Sequence, residues 1–152
     1  MPLEITDNID ALVAAMPPEI AVSLKKADRM ADLLEIVIDK GRPCDARYVD
    51  GDIRILDREV TEEEIQYVVD HVGSFGDDNR AGIERTLHRI SAIRNRTGKI
   101  IGLTCRVGRA IYGTIDVIED IIFEGKSVLL LGRPGVGKTT MLREVARVLA
   151  EK

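Results

Sequence analysis

The spacing of apolar residues changes along the chain, and each spacing predicts a different element. Near the N-terminus Ile9, Leu12, Val13 and Met16 recur at helical intervals, with Thr6 or Asp7 as the cap. Pro17–Pro18 stops that helix, and Pro18 can open a second one at its first turn. From Leu33 the pattern becomes contiguous: LLEIVID is a mostly apolar run that ends at the turn signal KGRP. DARYV and IRIL then flank DGD, and Asp-Gly between extended segments predicts a hairpin.

Helical spacing returns at Thr61. Thr61 and Glu64 make a capping box, Ile65, Val68, Val69 and Val72 form the apolar stripe, and Gly73 stops it. SFGDDNRAG is a polar loop. RTLHRISAIRNRTGKIIGLTCRVG then predicts two strands joined around NRTG, because Ile90, Ile93, Ile100, Ile101 and Val107 are β-branched. GRAIYGT reads as a linker, after which Thr114 can cap a helix carrying Ile115, Ile118, Ile121 and Ile122, with Gly125 beyond its end. The boundary is expected near Gly113. That gives an α+β domain with a basic hairpin over residues 1–113 and the beginning of a second domain over 114–152.

The second segment carries the chemistry. SVLLL predicts a buried strand at Ser127–Leu131, and GRPGVGKT satisfies G-x-x-x-x-G-K-[ST] at Gly132, Gly137, Lys138 and Thr139. Leu142, Val145, Ala146 and Leu149 predict the helix that follows. A loop around a phosphate must turn backbone N–H groups inward at close range, which glycine allows cheaply. The helix N-terminus adds partial positive charge. Gly132, Arg133, Pro134, Gly135, Val136, Gly137, Lys138, Thr139 and Thr140 are therefore the candidate nucleotide-binding residues. Lys138 is expected on the β/γ oxygens of ATP and the Thr139 hydroxyl on Mg²⁺. Hydrolysis also needs a second strand ending in an acid and a group that positions water. Neither follows Thr140, so the chain reads as the front part of a longer protein that binds phosphates and does not hydrolyse ATP alone.

Composition and charge narrow the alternatives. No apolar run approaches the roughly 18 residues of a membrane span, and the acidic MPLEITDNID does not look like an export signal. Cys44 and Cys105 lie far apart with no metal spacing, as expected for two reduced thiols. His71 and His88 likewise have no ligand spacing and read as structural. Net charge is −4, but residues 80–109 alone carry +7. Arg80, Arg85, Arg89, Arg94, Arg96, Lys99, Arg106 and Arg109 there face a single acid, Glu84. That asymmetry predicts an anionic partner for one face. Three function classes stay open: half of an ATPase site, a single-stranded nucleic-acid-binding module, and a non-catalytic oligomerisation domain. In the last, the arginines pair with EVTEEE and DVIED across subunits. Against the second, the basic block has no Phe, Tyr or Trp for bases to stack on.

FGDDNRAGIERTLHRISAIRNRTGKIIGLTCRVGRAIYGT followed by SVLLLGRPGVGKTT resembles a group of cyanobacterial and plastid-encoded P-loop ATPases. Those proteins carry a C-terminal arginine–histidine module that binds single-stranded nucleic acid. They are similar to the stage III sporulation protein AA ATPases and, distantly, to secretion and pilus-retraction ATPases. The resemblance covers residues 30–152. It implies an α+β N-terminal domain joined to an α/β P-loop (RecA-like) NTPase domain, here truncated, and a homo-oligomeric ring, a hexamer among the open sizes. It also implies location in the cytoplasm or plastid stroma. In the distant relatives, basic residues of the N-terminal domain help enclose the nucleotide. The resemblance does not say which arginines of this chain would do so, and any nucleic-acid binding would belong to the parent protein's further module.

Overall fold

The alternating and β-branched runs of the middle of the chain become one antiparallel sheet. The computed structural model describes residues 4–6, 8–112, 118–133 and 138–150. In chain order the elements are β1 (Glu4–Thr6), α1 (Ile9–Ala14), α2 (Pro18–Ala27), a 3-10 turn at Met30–Asp32, β2 (Leu33–Asp39), β3 (Pro43–Tyr48), β4 (Gly51–Glu59), α3 (Glu62–His71), β5 (Arg80–Gly82), β6 (Arg89–Arg94), β7 (Ile100–Arg106), β8 (Ala110–Tyr112), α4 (Glu119–Phe123) and α5 (Lys138–Ala150). Backbone contacts separate two units: Asn8–Gly108, and Met1–Asp7 together with Arg109–Lys152.

The Asn8–Gly108 unit is an α+β domain whose six strands lie in the order β4-β3-β2-β7-β6-β5. Because side chains alternate across a strand, register assigns each row of the sheet to a face. One row joins Ile90, Cys105, Ile36 and Ala46, and the next in-facing row joins Ala92, Leu103 and Ile38. These rows are buried with Leu12, Met16, Ile20 and Leu24 of the first two helices and Ile65 and Val68 of α3. Each fully buried Leu or Ile contributes about 1.5–3 kcal/mol. Burial also pushes the Cys44 and Cys105 thiols up to about 12, so both are held as unreactive apolar fillers.

Both predicted hairpins form. In the first, the turn is Val49–Asp50, and Gly51 opens β4 at φ 139°, where a Cβ would be strained. In the second, Asn95 Oδ1 accepts from the Thr97 and Lys99 amides, both at 3.0 Å, and Gly98 takes φ 87°. The capping box at α3 is complete: Glu64 N donates to Thr61 Oγ1 at 3.3 Å and Thr61 N to Glu64 Oε1 at 3.0 Å. Arg58 donates to the same carboxylate at 2.6 Å and holds Glu64 below the usual carboxylate range. Thr61→Ala is expected to cost about 1 kcal/mol, read as a lower urea midpoint at unchanged slope. EVTEEE also finds cations within the chain, since Glu62 pairs with Lys40 at 3.3 Å and with Lys99.

Two local expectations are corrected. Thr6 does not cap a helix; it lies in β1, paired with Ala110 of β8, inside the segment expected to be a linker. Asn8 takes the cap position instead, at φ 48°, a conformation Asn tolerates. A ladder between residues far apart in sequence thus overrides the local signal. The second correction is at Ser127–Leu131, which is not a strand. Strand geometry needs a hydrogen-bonding neighbour, and none pairs with this segment among the described residues. Leu129 and Leu131 stay open, at 80% and 85% exposure, while Leu130 is half-buried.

Candidate functional site

Helix α5 opens at Lys138, the lysine of the glycine-rich motif, and runs 13 residues. Its first amides have no intrahelical acceptor and point out of the N-terminus, so they present donors and partial positive charge there. The Lys138 ammonium folds back and donates to the Gly132 carbonyl, joining the first and last fixed glycine–lysine positions of the motif. One of its three N–H donors is used in this way. Gly132, Arg133 and Thr139 are exposed, and Lys138 is half-buried. Thr140 lies in the helix. Pro134, Gly135, Val136 and Gly137, and the side chain of Thr140, lie outside the described residues.

Helix α5 carries a buried ion pair that the apolar pattern did not announce. Glu144 is 1% exposed and accepts two bonds from Arg147, at 3.0 Å from Nε and 2.8 Å from Nη2. Such a bidentate pair compensates a buried carboxylate, which would be costly alone. Leu142, Val145 and Leu149 line a cleft of about 220 Å³ with Ile122, Val128 and Leu130, while Ala146 is exposed. The predicted helix is therefore present, with its stripe only partly covered. No group of three or more His, Cys, Asp or Glu side chains that could hold a metal occurs among the described residues.

The basic block resolves into distinct roles. Arg94 is structural: it donates to Asn79 Oδ1 and to the Gly98 carbonyl, each at 2.8 Å. Arg96 is exposed in the hairpin turn, and Arg85 sits at φ 62° in the loop before β6. Arg89 and Arg106 are directly opposed across β6 and β7, on the face away from the core. Like charges in that position repel, and the Glu35 carboxylate beside Arg106 offsets part of that repulsion. The row continues through Glu35, Arg47 and Asp52. Glu35 is buried, accepts from Arg47 at 2.7 Å and lies 3.8 Å from Arg106. Arg80 and Arg89 also line an open cleft of about 560 Å³ at the β5 edge, with Ser74, Thr86 and His88. Composition located the positive charge, but only register reveals which arginines stand together.

Both histidines are engaged, as their sequence context suggested. His71 stacks on Tyr67 with ring centroids 4.0 Å apart, and its Nδ1 lies 2.6 Å from the Tyr67 carbonyl. His88 is 3% exposed, with Nδ1 accepting from Gly108 N at 3.0 Å and Nε2 lying 2.9 Å from the Asn8 carbonyl oxygen.

Comparison with known proteins gives the chain relatives. It is 49% identical over 148 residues to the uncharacterized protein ycf45 of Porphyra purpurea, covering 97% of this chain and 26% of that protein. It is 48% identical to the Protein SEEDLING PLASTID DEVELOPMENT 1 of Arabidopsis thaliana, covering 97% and 22% respectively. These proteins are its homologues. The ycf45 protein of Cyanidium caldarium is 40% identical over 148 residues and is covered to 44%. The chain thus spans about a quarter of the first two relatives. No family model matches it. Among solved structures, the Legionella pneumophila ATPase DotB is similar over 86% of this chain and 41% of its own, with a TM-score of 0.50 and 18% identity. The likeness is one of fold. No helix among the described residues is long and apolar enough to cross a membrane.

Proposed function

We propose that the chain is the N-terminal part of a P-loop ATPase, with a RecA-like second domain, and that it binds the phosphates of ATP at Gly132–Thr140. The observation carrying this is the return of Lys138 from the first turn of α5 to the Gly132 carbonyl. A cation is thereby held at a helix N-terminus, beside the helix-terminal N–H donors that suit phosphate oxygens. In this reading the backbone of Gly132, Arg133, Pro134, Gly135, Val136 and Gly137 wraps the β-phosphate. Lys138 exchanges Gly132 for β/γ oxygens, and Thr140 extends the row of helix-terminal donors. The exposed Thr139 hydroxyl fits Mg²⁺ as a hard oxygen ligand, although the described residues bring no carboxylate cluster beside it. The metal would neutralise phosphate charge. The homology to longer plastid-type proteins and the fold likeness to an ATPase support the same assignment. A homo-oligomeric ring in the parent protein belongs to this reading too.

The test is competition against a fluorescent ATP analogue in the presence of Mg²⁺. ATP and ADP should displace it at least about 100-fold more tightly than AMP, because AMP offers no β-phosphate to the loop. Equal displacement by AMP, or no binding of any nucleotide, would refute the assignment.

A further inference from the structure

Helices α1, α2 and α3 pack on one face of the six-stranded sheet, and alternation along each strand turns the remaining side chains to the other face. At the β5 end that outward set includes Arg80 on β5, Arg89 and Ser91 on β6, and Thr104 and Arg106 on β7. Their neighbours Ala81, Ile90 and Cys105 are buried on the core side. Register places Arg80 opposite Ser91, Ser91 opposite Thr104, and Arg89 opposite Arg106. Directly opposed Cβ atoms stand about 5 Å apart and diagonal ones about 7–8 Å. Three guanidinium groups therefore surround a floor of two short hydroxyl side chains.

The chain leaves most of this charge unanswered. Arg80 and Arg89 are exposed and form no ion pair among the described residues. Among those residues Arg106 has only Glu35, at 3.8 Å, and that carboxylate is already held by Arg47 at 2.7 Å. Asp78 reaches the cleft beside Arg80 and Arg89, where it accepts from the Arg80 amide at 3.2 Å. The Ser91 and Thr104 hydroxyls make no hydrogen bond among the described residues, so both donors remain available. Toward β4 the balance changes, because Arg47 and Arg54 pair with Glu35, Asp52 and Asp45 on the same face. The positive region is thus confined to β5, β6 and β7.

We infer that the outward face of β5, β6 and β7 binds duplex nucleic acid through its phosphates, without reading bases. Charge complementarity carries this: clustered guanidinium groups with hydroxyls between them supply the donors that phosphodiester oxygens accept. What the face lacks decides duplex over single strand. Single-strand binders stack unpaired bases on aromatic rings, and no Phe, Tyr or Trp belongs to these three strands. A duplex keeps its bases stacked inside and turns its phosphates outward, so it needs no such platform. The anionic partner expected from the charge of residues 80–109 thereby gains a chemistry and a place. Nothing in this inference depends on nucleotide binding at Lys138.

Fluorescence anisotropy of a labelled, mixed-sequence DNA duplex, titrated with the whole chain at several salt concentrations, provides the test. Three neutralised phosphates give a slope of about −2.7 in log K against log salt, so affinity should fall about 40-fold between about 50 and 200 mM. Arg80→Ala, Arg89→Ala and Arg106→Ala should each flatten that slope by about 0.9, whereas Arg89→Lys should preserve it. Arg54→Ala removes an arginine of the same face that lies 3.7 Å from Asp45, and it should leave the slope unchanged. Lys138→Ala should also bind the duplex as wild type does, which separates this result from the fate of the ATP assignment. Absence of duplex binding at about 50 mM salt overturns the inference. So does an unchanged slope in the three alanine variants, or loss of duplex binding in Lys138→Ala. Tighter binding of the single strand, or of an acidic peptide of equal charge, overturns it as well, the peptide result marking a protein-docking face instead.

Discussion

Lys138→Ala is expected to weaken Mg·ATP binding by about 100-fold while leaving the fold intact. The size follows from the hydrogen bonds an ammonium makes to phosphate oxygens. Bonds to charged groups contribute about 1.5–3 kcal/mol each, and a loss of about 2.7 kcal/mol corresponds to that factor. The fold should be indifferent, because the Lys138 side chain is half-buried and its hydrogen bond goes to the Gly132 carbonyl within its own loop. Calorimetric titration gives the affinity and a urea midpoint gives the stability. Lys138→Arg is a useful companion. It keeps the charge but replaces a compact point donor with a planar fork, so most of the affinity should still be lost. Unchanged ATP affinity in Lys138→Ala would remove the lysine from the site. A collapse of stability would instead make its bond to Gly132 structural.

What was legible in the sequence follows from the range of each signal. The capping box at Thr61–Glu64 spans three residues, and the NRTG turn is organised by Asn95 and Gly98 within it, so both could be read locally. The glycine-rich motif is equally local, and Lys138 stands at the head of α5 as its pattern predicts. The opposed Arg89 and Arg106 could not be read in this way. Their pairing depends on register across the hairpin, and the bulge between Ile93 and Arg94 shifts that register by one residue. β1 was missed because its partner lies about a hundred residues away, and three residues of strand carry no periodicity worth reading. Ser127–Leu131 failed in the opposite sense. Its composition specifies a buried strand, but a strand is a relation between segments, and no partner segment occurs among the described residues.

Gly108 is the residue whose importance the sequence concealed most fully, since it reads only as the first residue of a linker. Gly108→Ala is expected to destabilise the protein by about 3 kcal/mol, at the upper end of what overpacking costs. A Cβ there would sit 2.0 Å from the Leu87 carbonyl oxygen and 2.4 Å from its carbon. Those are backbone atoms beside β6, so no rotamer change relieves the overlap and the two segments must separate. Separation carries Gly108 N away from His88 Nδ1, so loss of the buried hydrogen bond adds to the steric cost. Gly82→Ala is the matched control in the same neighbourhood. Its Cβ would meet only the His88 carbonyl oxygen, at 3.8 Å, which is ordinary contact. That variant should stay within about 1 kcal/mol of wild type. Urea unfolding of both decides the matter. Equal stabilities would show that Leu87 and Gly108 can part without consequence, and their close approach would then carry no structural weight.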